Sequence, residues 1–116
     1  MNTNELVKME RGLWLKPEPW IAGNALPNAW FILPQPIGIT DRNMLQRTHI
    51  ESMATGLDVE DARIEFLSED VVLIVYRAAS RQAPAGTRFL CSSTYVKGRR
   101  SWSLTHHQRS PVGPTS

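Results

Sequence analysis

The last third of the chain most constrains its fold, because it holds consecutive runs that read as extended strands separated by short turns. Val71 to Ala79 is apolar on both faces, which predicts a central strand with both sides covered. Arg88 to Lys97 and Ser101 to Ser110 follow it. Just upstream, Val59 to Leu67 puts Ala62, Ile64 and Phe66 on one face and Asp61, Arg63 and Glu65 on the other. That is the period-two pattern of a half-buried strand. Ser68-Glu-Asp, Gln82 to Gly86 and Gly98-Arg-Arg supply the turns. Four strands so closely spaced are expected to pair antiparallel.

The first half reads differently. In Glu5 to Lys16, Leu6, Met9 and Leu13 recur at helical spacing and, with Trp14, form one apolar face. Asn2 to Asn4 offer capping side chains, and Pro17 cannot continue the helix. Pro17 to Pro36 carries five prolines together with Trp20 and Trp30, so a packed, irregular segment is expected there. Within it Ala29-Trp-Phe-Ile-Leu reads as a short strand. A second helix is expected from Asp41, whose carboxylate suits a helix start, to about Thr55, with Gly56 as its stop. Leu45, His49 and Met53 would share its stripe. Helices segregated from strands imply the α+β class, with helices on one face of a curved antiparallel sheet.

A length of 116 residues gives one domain, residues 1–116, with an ordered core of about 5–111. Cys91 is the lone cysteine, so no internal disulfide forms. The longest apolar run is too short to span a membrane, and the first residues lack the pattern of a signal peptide. A cytoplasmic protein is expected. The formal net charge is +2, yet no Asp or Glu follows Asp70, where seven Arg and Lys residues lie. Six acids crowd residues 58–70. Pairing of an acidic strand with basic ones explains this better than a nucleic-acid surface, which carries a larger net charge.

The runs Asp61-Ala-Arg-Ile-Glu-Phe-Leu-Ser-Glu-Asp-Val-Val-Leu-Ile-Val-Tyr-Arg-Ala, Cys91-Ser-Ser-Thr-Tyr-Val and Trp102-Ser-Leu-Thr-His-His-Gln-Arg-Ser-Pro resemble the nuclear-transport-factor-2-like superfamily. Within it, they look most like the small bacterial SnoaL-like proteins of unknown function. The last run is similar to a family ending of the type Trp-x-Leu-x-x-His-Gln-Gln-Thr-Pro. It matches at Trp102, Leu104, His107, Gln108 and Pro111 and departs at Arg109 and Ser110. The resemblance covers roughly residues 5–112. It implies a cone-shaped, cystatin-like α+β fold with an internal pocket between sheet and helices, and a homodimer made through the sheet. The proline-rich stretch departs from the helical hairpin usual in the family.

The resemblance also brings enzymes into view: ketosteroid isomerases, polyketide cyclases and epoxide hydrolases. Their chemistry needs carboxylates inside the cone, tuned by burial. Here the first helix offers Trp14 where a phenol would be wanted, and the late strands contain no acid. None of those catalytic sets carries over. Histidine remains. His106 and His107 are strand neighbours, so they point to opposite faces and cannot serve one site. Strict alternation groups Trp102, Leu104, His106 and Gln108 on one face and Ser103, Thr105, His107 and Arg109 on the other. His107 is the candidate general base, against the plainer reading of a hydrogen-bonded sheet-edge or interface histidine. His49 reads as a core-edge residue, and Cys91 as a small buried one rather than a nucleophile.

Neither a metal-binding spacing nor a cofactor fingerprint is present, so no metal and no cofactor are expected. The leading expectation is a small-molecule-binding protein that takes an apolar, ring-containing ligand and touches no nucleic acid and no membrane. Trp14, Trp30, Tyr76, Ser93 and Gln108 are the candidate ligand-binding residues. The alternative is an isomerase, cyclase or lyase with His107 as base. A further alternative is a dimeric interaction module. Substrate and pathway are not written in these residues.

Overall fold

The computed structural model describes residues 1–45, 47, 57–80 and 88–112. The expected run of the second helix beyond Leu45, with His49, Met53 and Gly56, lies outside the described residues, as do the loop from Gln82 to Gly86 and the tail past Val112.

Helix α1 spans Thr3–Leu15. Asn2 caps it: its Oδ1 accepts the Glu5 N–H at 2.9 Å. Its buried stripe is Leu6, Glu10, Leu13 and Trp14. Met9 is only half-buried, so the stripe expected from apolar spacing is turned toward a carboxylate.

The proline-rich stretch is not irregular. Helix α2 spans Pro17–Asn24 with proline in its first turn, where the missing N–H costs no hydrogen bond. Lys16, pushed out of helical angles by the following proline, breaks α1 from α2 (φ −139°, ψ 70°). Helix α1 was expected, and α2 stands where an irregular segment was expected. Gly12 lets them approach: a Cβ there would sit 2.7 Å from Trp20 Cδ1. The Trp20 ring in turn meets Tyr95 edge-on, 6.5 Å between centroids.

Strand β1, Ala25–Leu33, is longer than the five residues expected. A turn with Gly38 at φ 68° leads into an unanticipated strand β2, Gly38–Asp41. Helix α3, Arg42–Leu45, starts as expected of Asp41, whose Oδ1 accepts the Met44 N–H at 2.9 Å.

Four strands complete the chain: β3 Leu57–Ser68, β4 Val71–Ser80, β5 Arg88–Lys97 and β6 Trp102–Val112. They pair antiparallel in sequence order, and β1 adds to β6 in parallel. The result is one mixed, curved, six-stranded sheet in the order β2-β1-β6-β5-β4-β3. The α+β reading holds. Among the described residues no helix is long and apolar enough to cross a membrane.

Two of the sheet's register shifts, one in β3 and one in β6, break strict alternation. In β3, Asp61 at φ 53° and Ala62 together oppose one residue of β4. In β6 the register passes from Tyr95↔Leu104 to Thr94↔His106, leaving Thr105 without a partner. That extra residue reverses the phase of the strand. Leu104, His107 and Arg109 are all buried, although alternation puts Leu104 opposite the other two. His106 and His107 do point to opposite faces: His107 is fully buried, His106 half-buried.

The sheet's inner face carries Phe31, Val72, Ile74, Tyr76, Tyr95 and Leu104, packed in one core with Leu6, Leu13 and Trp14 of α1. Within the chain β4 is covered on this side only. Its outward Val75 is 39% exposed, which corrects the expectation of a strand covered on both sides. Val75 and Leu90 floor a groove of about 510 Å³ on the outer face, edged by Asp61, Arg63, Arg77 and Gln108. The acidic strand pairs with basic neighbours through Arg77–Asp61 at 3.7 Å and Arg88–Glu60 at 3.8 Å. Both pairs are about half exposed, so each contributes at most about 1 kcal/mol.

The helix junction gives a matched pair of substitutions. Gly12→Val forces a side chain into the Trp20 ring and is expected to cost about 2 kcal/mol. Gly23→Ala meets nothing within 4 Å and is expected to gain up to about 1 kcal/mol from helix propensity. Urea unfolding monitored by circular dichroism checks both signs.

Candidate functional site

Where α1 crosses the sheet, a set of polar side chains is sealed inside the cone. Glu10, Ser93, Tyr95 and His107 have less than 1% of their surface exposed. The placement follows from backbone geometry. Glu10 lies one turn from Leu6 and one from Leu13 and Trp14, so it enters the core with them. Ser93 faces His107 across the β5–β6 ladder, and Cys91 faces both Arg109 and Tyr76. The Thr105 bulge brings His107 and Arg109 to the inner face beside them.

Glu10 is the hub. Tyr76 donates its hydroxyl proton to Oε1 at 2.9 Å, and Ser93 also donates to Oε1. Tyr95 donates to Oε2. The Tyr76 oxygen accepts from Trp14 Nε1 at 2.9 Å. The Ser93 oxygen meets His107 Nδ1 at 2.6 Å, and that same nitrogen lies 3.4 Å from Glu10 Oε1. On the far side of the ring, Arg109 Nε donates to His107 Nε2 at 2.8 Å. The guanidinium stacks on Trp14, its central carbon 3.5 Å from the ring centroid. Among the described residues no buried side-chain nitrogen or oxygen lacks a partner.

The tautomer follows from donor counting. Arginine has no acceptor, so His107 Nε2 carries a bare lone pair and the proton sits on Nδ1, donated to Ser93. Ser93 then passes its own proton to Glu10. Carboxylate, hydroxyl, imidazole and guanidinium thus form one directional chain with a negative charge at one end and a positive charge at the other.

The electrostatics agree. Burial alone would raise the Glu10 pKa, but hydrogen bonds from His107, Ser93 and Tyr95 outweigh it and lower the value, keeping the carboxylate ionised. Burial, reinforced by the Arg109 charge, holds His107 below the ordinary histidine value against the pull of Glu10, so the ring is neutral. Burial and the nearby carboxylate raise Tyr76 and Tyr95 well above the usual phenol range. They remain donors. Burial pushes the Cys91 thiol up to about 12, as its reading as a small core residue requires.

The structure brings together Trp14, Tyr76, Ser93 and His107 of the sequence-derived candidates. It does not bring in Trp30, which is 55% exposed, or Gln108, which lines the outer groove and donates to Ser110 Oγ at 3.0 Å. Both ride on the outer face because each is one residue out of phase with an inner one, Phe31 and His107. Glu10, Tyr95 and Arg109 complete the site. The sequence reading misses Glu10, although a signal for it exists: a carboxylate at the fourth position after Leu6 and the third before Leu13 sits on the apolar stripe. The late strands do lack an acid, yet the cone holds a carboxylate, supplied by the first helix, and two phenols beside it. Among the described residues no three metal-ligating side chains converge.

Solved structures match this architecture over nearly the whole chain. A candidate ketosteroid isomerase from Parabacteroides distasonis superposes with a TM-score of 0.80 at 11% identity, covering 98% of this chain and 90% of the other. An NTF2-like protein of unknown function in nutrient uptake from Rhodospirillum rubrum gives 0.73 at 15% identity, covering 97% and 99%. The chain has the nuclear-transport-factor-2-like fold. The association domain of C. elegans CaMKII shares it, with a TM-score of 0.70 at 13% identity and 92% and 90% coverage. No family model and no curated protein matches the sequence.

Two outcomes follow from the site. Glu10 and His107 both have lowered folded-state pKa values, so the unfolded chain binds more protons and acid destabilises the fold. The His107 contribution is present above 6.5 and is lost as pH falls through its folded value; the Glu10 contribution is present above 4.5 and is lost below it. Each proton taken up gives a slope of at most about 1.4 kcal/mol per pH unit. Urea unfolding at pH 8, 6 and 5 should show the loss. His107→Gln, which can still donate at one end and accept at the other, should flatten its first part. Separately, Cys91 should resist a thiol reagent at pH 8 in the native protein and react fully in denaturant.

Proposed function

We propose that this protein binds an uncharged, ring-containing small molecule inside the cone, in contact with Trp14, Tyr76, Ser93 and His107. The observation that carries the reading is the charge-balanced polar cluster walled by aromatic rings. Apolar, aromatic surroundings with a few convergent polar groups are the chemistry of small-molecule sites. Because Glu10 and Arg109 already balance one another, a charged ligand would bring an uncompensated charge into the interior, whereas a neutral one brings none. Phe31, whose ring lies 6.4 Å from that of His107, and Trp14, whose face Arg109 covers, border the cluster with aromatic surface.

The isomerase, cyclase or lyase alternative with His107 as general base keeps one specific support, a neutral imidazole beside an ionised carboxylate. The base must present Nε2 to substrate, and Arg109 occupies that lone pair. Catalysis on this reading requires the guanidinium to leave first.

The outer face supports self-association. Trp30, Ile39, Val75 and Leu90 stand on it at 39–74% exposure, large apolar side chains of the kind that association covers. A homodimer formed sheet to sheet would cover them, and Leu90→Asp is the substitution that separates dimer from monomer in sedimentation.

The ligand reading is tested by thermal shift against steroids and other uncharged ring compounds. At about 100 times its dissociation constant a ligand adds about 2.7 kcal/mol, several degrees for a domain of this size. The shift should disappear in His107→Gln and persist in Gln108→Ala. A flat screen, or a shift lost only in Gln108→Ala, overturns the reading.

A further inference from the structure

His107 is held from both ends by groups that treat its protonation in opposite ways. The titratable and charged groups around it are Glu10 from α1, Tyr76 from β4, Cys91 and Tyr95 from β5, and His106 and Arg109 from its own strand. On the Nδ1 side stand acceptors, the Ser93 oxygen and the Glu10 carboxylate. On the Nε2 side stands Arg109, which can only donate. A protonated imidazole also can only donate. The Arg109 contact therefore exists only while Nε2 is bare, whereas the Ser93 and Glu10 contacts survive protonation and gain from it.

We propose that the Glu10–Ser93–His107–Arg109 chain is a proton-operated latch, in which a proton taken up at His107 Nε2 displaces the Arg109 guanidinium and unlocks the β6 side of the cone. The proton comes from solvent and forms a new N–H bond at Nε2. The hydrogen bond from Arg109 Nε breaks, and no covalent bond is lost. Buried charge is conserved: before the step Glu10 is balanced by Arg109, after it by the imidazolium, while Arg109 carries its own charge to water. That exchange lets a sealed interior respond to acid without stranding an uncompensated ion. Arg109 is suited to the move, being 8% exposed where Glu10, Ser93 and His107 are fully covered. Its departure also removes the cation from Trp14. The inference stands on the network alone and holds whether or not a ligand enters the cone.

The test is NMR of the full-length, ligand-free protein with ¹⁵N-labelled histidine and arginine, titrated from pH 8 to 5. At pH 8 His107 should show the Nδ1–H tautomer. As the pH falls, Nε2 should become protonated and the Arg109 Nε–H resonance should move, with the same midpoint, to the position and fast exchange of a solvent-exposed arginine. In Arg109→Met the opposing cation is gone and Glu10 lacks its partner, so His107 should protonate at higher pH than in the wild type. A proton already on Nε2 at pH 8 overturns the proposal. So does an Arg109 signal unmoved while His107 protonates, or loss of the circular dichroism signal before His107 titrates. If Arg109→Met does not fold, the wild-type titration decides alone. Ligand titrations play no part in this readout, so a failed latch and a failed binding reading are separately visible.

Discussion

The rest of the interior depends on one constraint: a carboxylate with no access to water must be fully hydrogen-bonded and electrically balanced. Glu10 meets the first demand with hydroxyls from Tyr76, Ser93 and Tyr95 and the second with Arg109, reached through His107. Each member is useful only if the others are present. A carboxylate left with fewer donors, or a guanidinium left without its counter-charge, costs several kcal/mol. Replacement of buried ionic sets by well-packed apolar residues of similar volume is often neutral or stabilising. The cluster is thus a specification more than a source of stability: it fixes which face of α1 points inward and which register β5 and β6 adopt.

That specification reaches the backbone. Ser93 opposes His107, and Cys91 opposes Arg109, because β6 carries one extra residue at Thr105. Without the bulge a strand that buries Leu104 would turn His107 and Arg109 outward, and Glu10 would lose the positive end of its chain. The irregularity is therefore as much a part of the site as the side chains are, in keeping with bulges that re-aim residues at functional positions.

What the sequence made legible follows from the length and regularity of each signal. The four late strands announce themselves as long strand-type runs between turn residues, alternating in Val59 to Leu67 and apolar on both faces in Val71 to Ala79. Strand β2 has only four residues, on a sheet edge, and gives no pattern to read. Helix α2 was hidden because proline is read as a breaker, although in a first turn it is compatible with helix. The Thr105 bulge has no glycine or proline to mark it, so alternation was carried through it, and Gln108 was grouped with inner residues. Glu10 was hidden for another reason. A search for apolar stripes discards charged positions, yet a charge on such a stripe is the stronger sign of a buried polar site.

The two faces of the sheet express opposite solutions to burial. The inner face satisfies its polar atoms with one another and leaves a neutral sum, so whatever enters must displace aromatic surface or a hydrogen bond already made. The outer face leaves Val75 and Leu90 open between Arg63, Arg77 and Asp61, polar edges around an apolar floor. Association there costs little desolvation of charge, since the charges lie at the rim and stay wet. His106 and His107, adjacent in sequence, report on these two environments separately. Burial lowers the pKa of both. Only His107 has a partner that its protonation must expel, so a proton on His106 alters the outer face while a proton on His107 rearranges the cone.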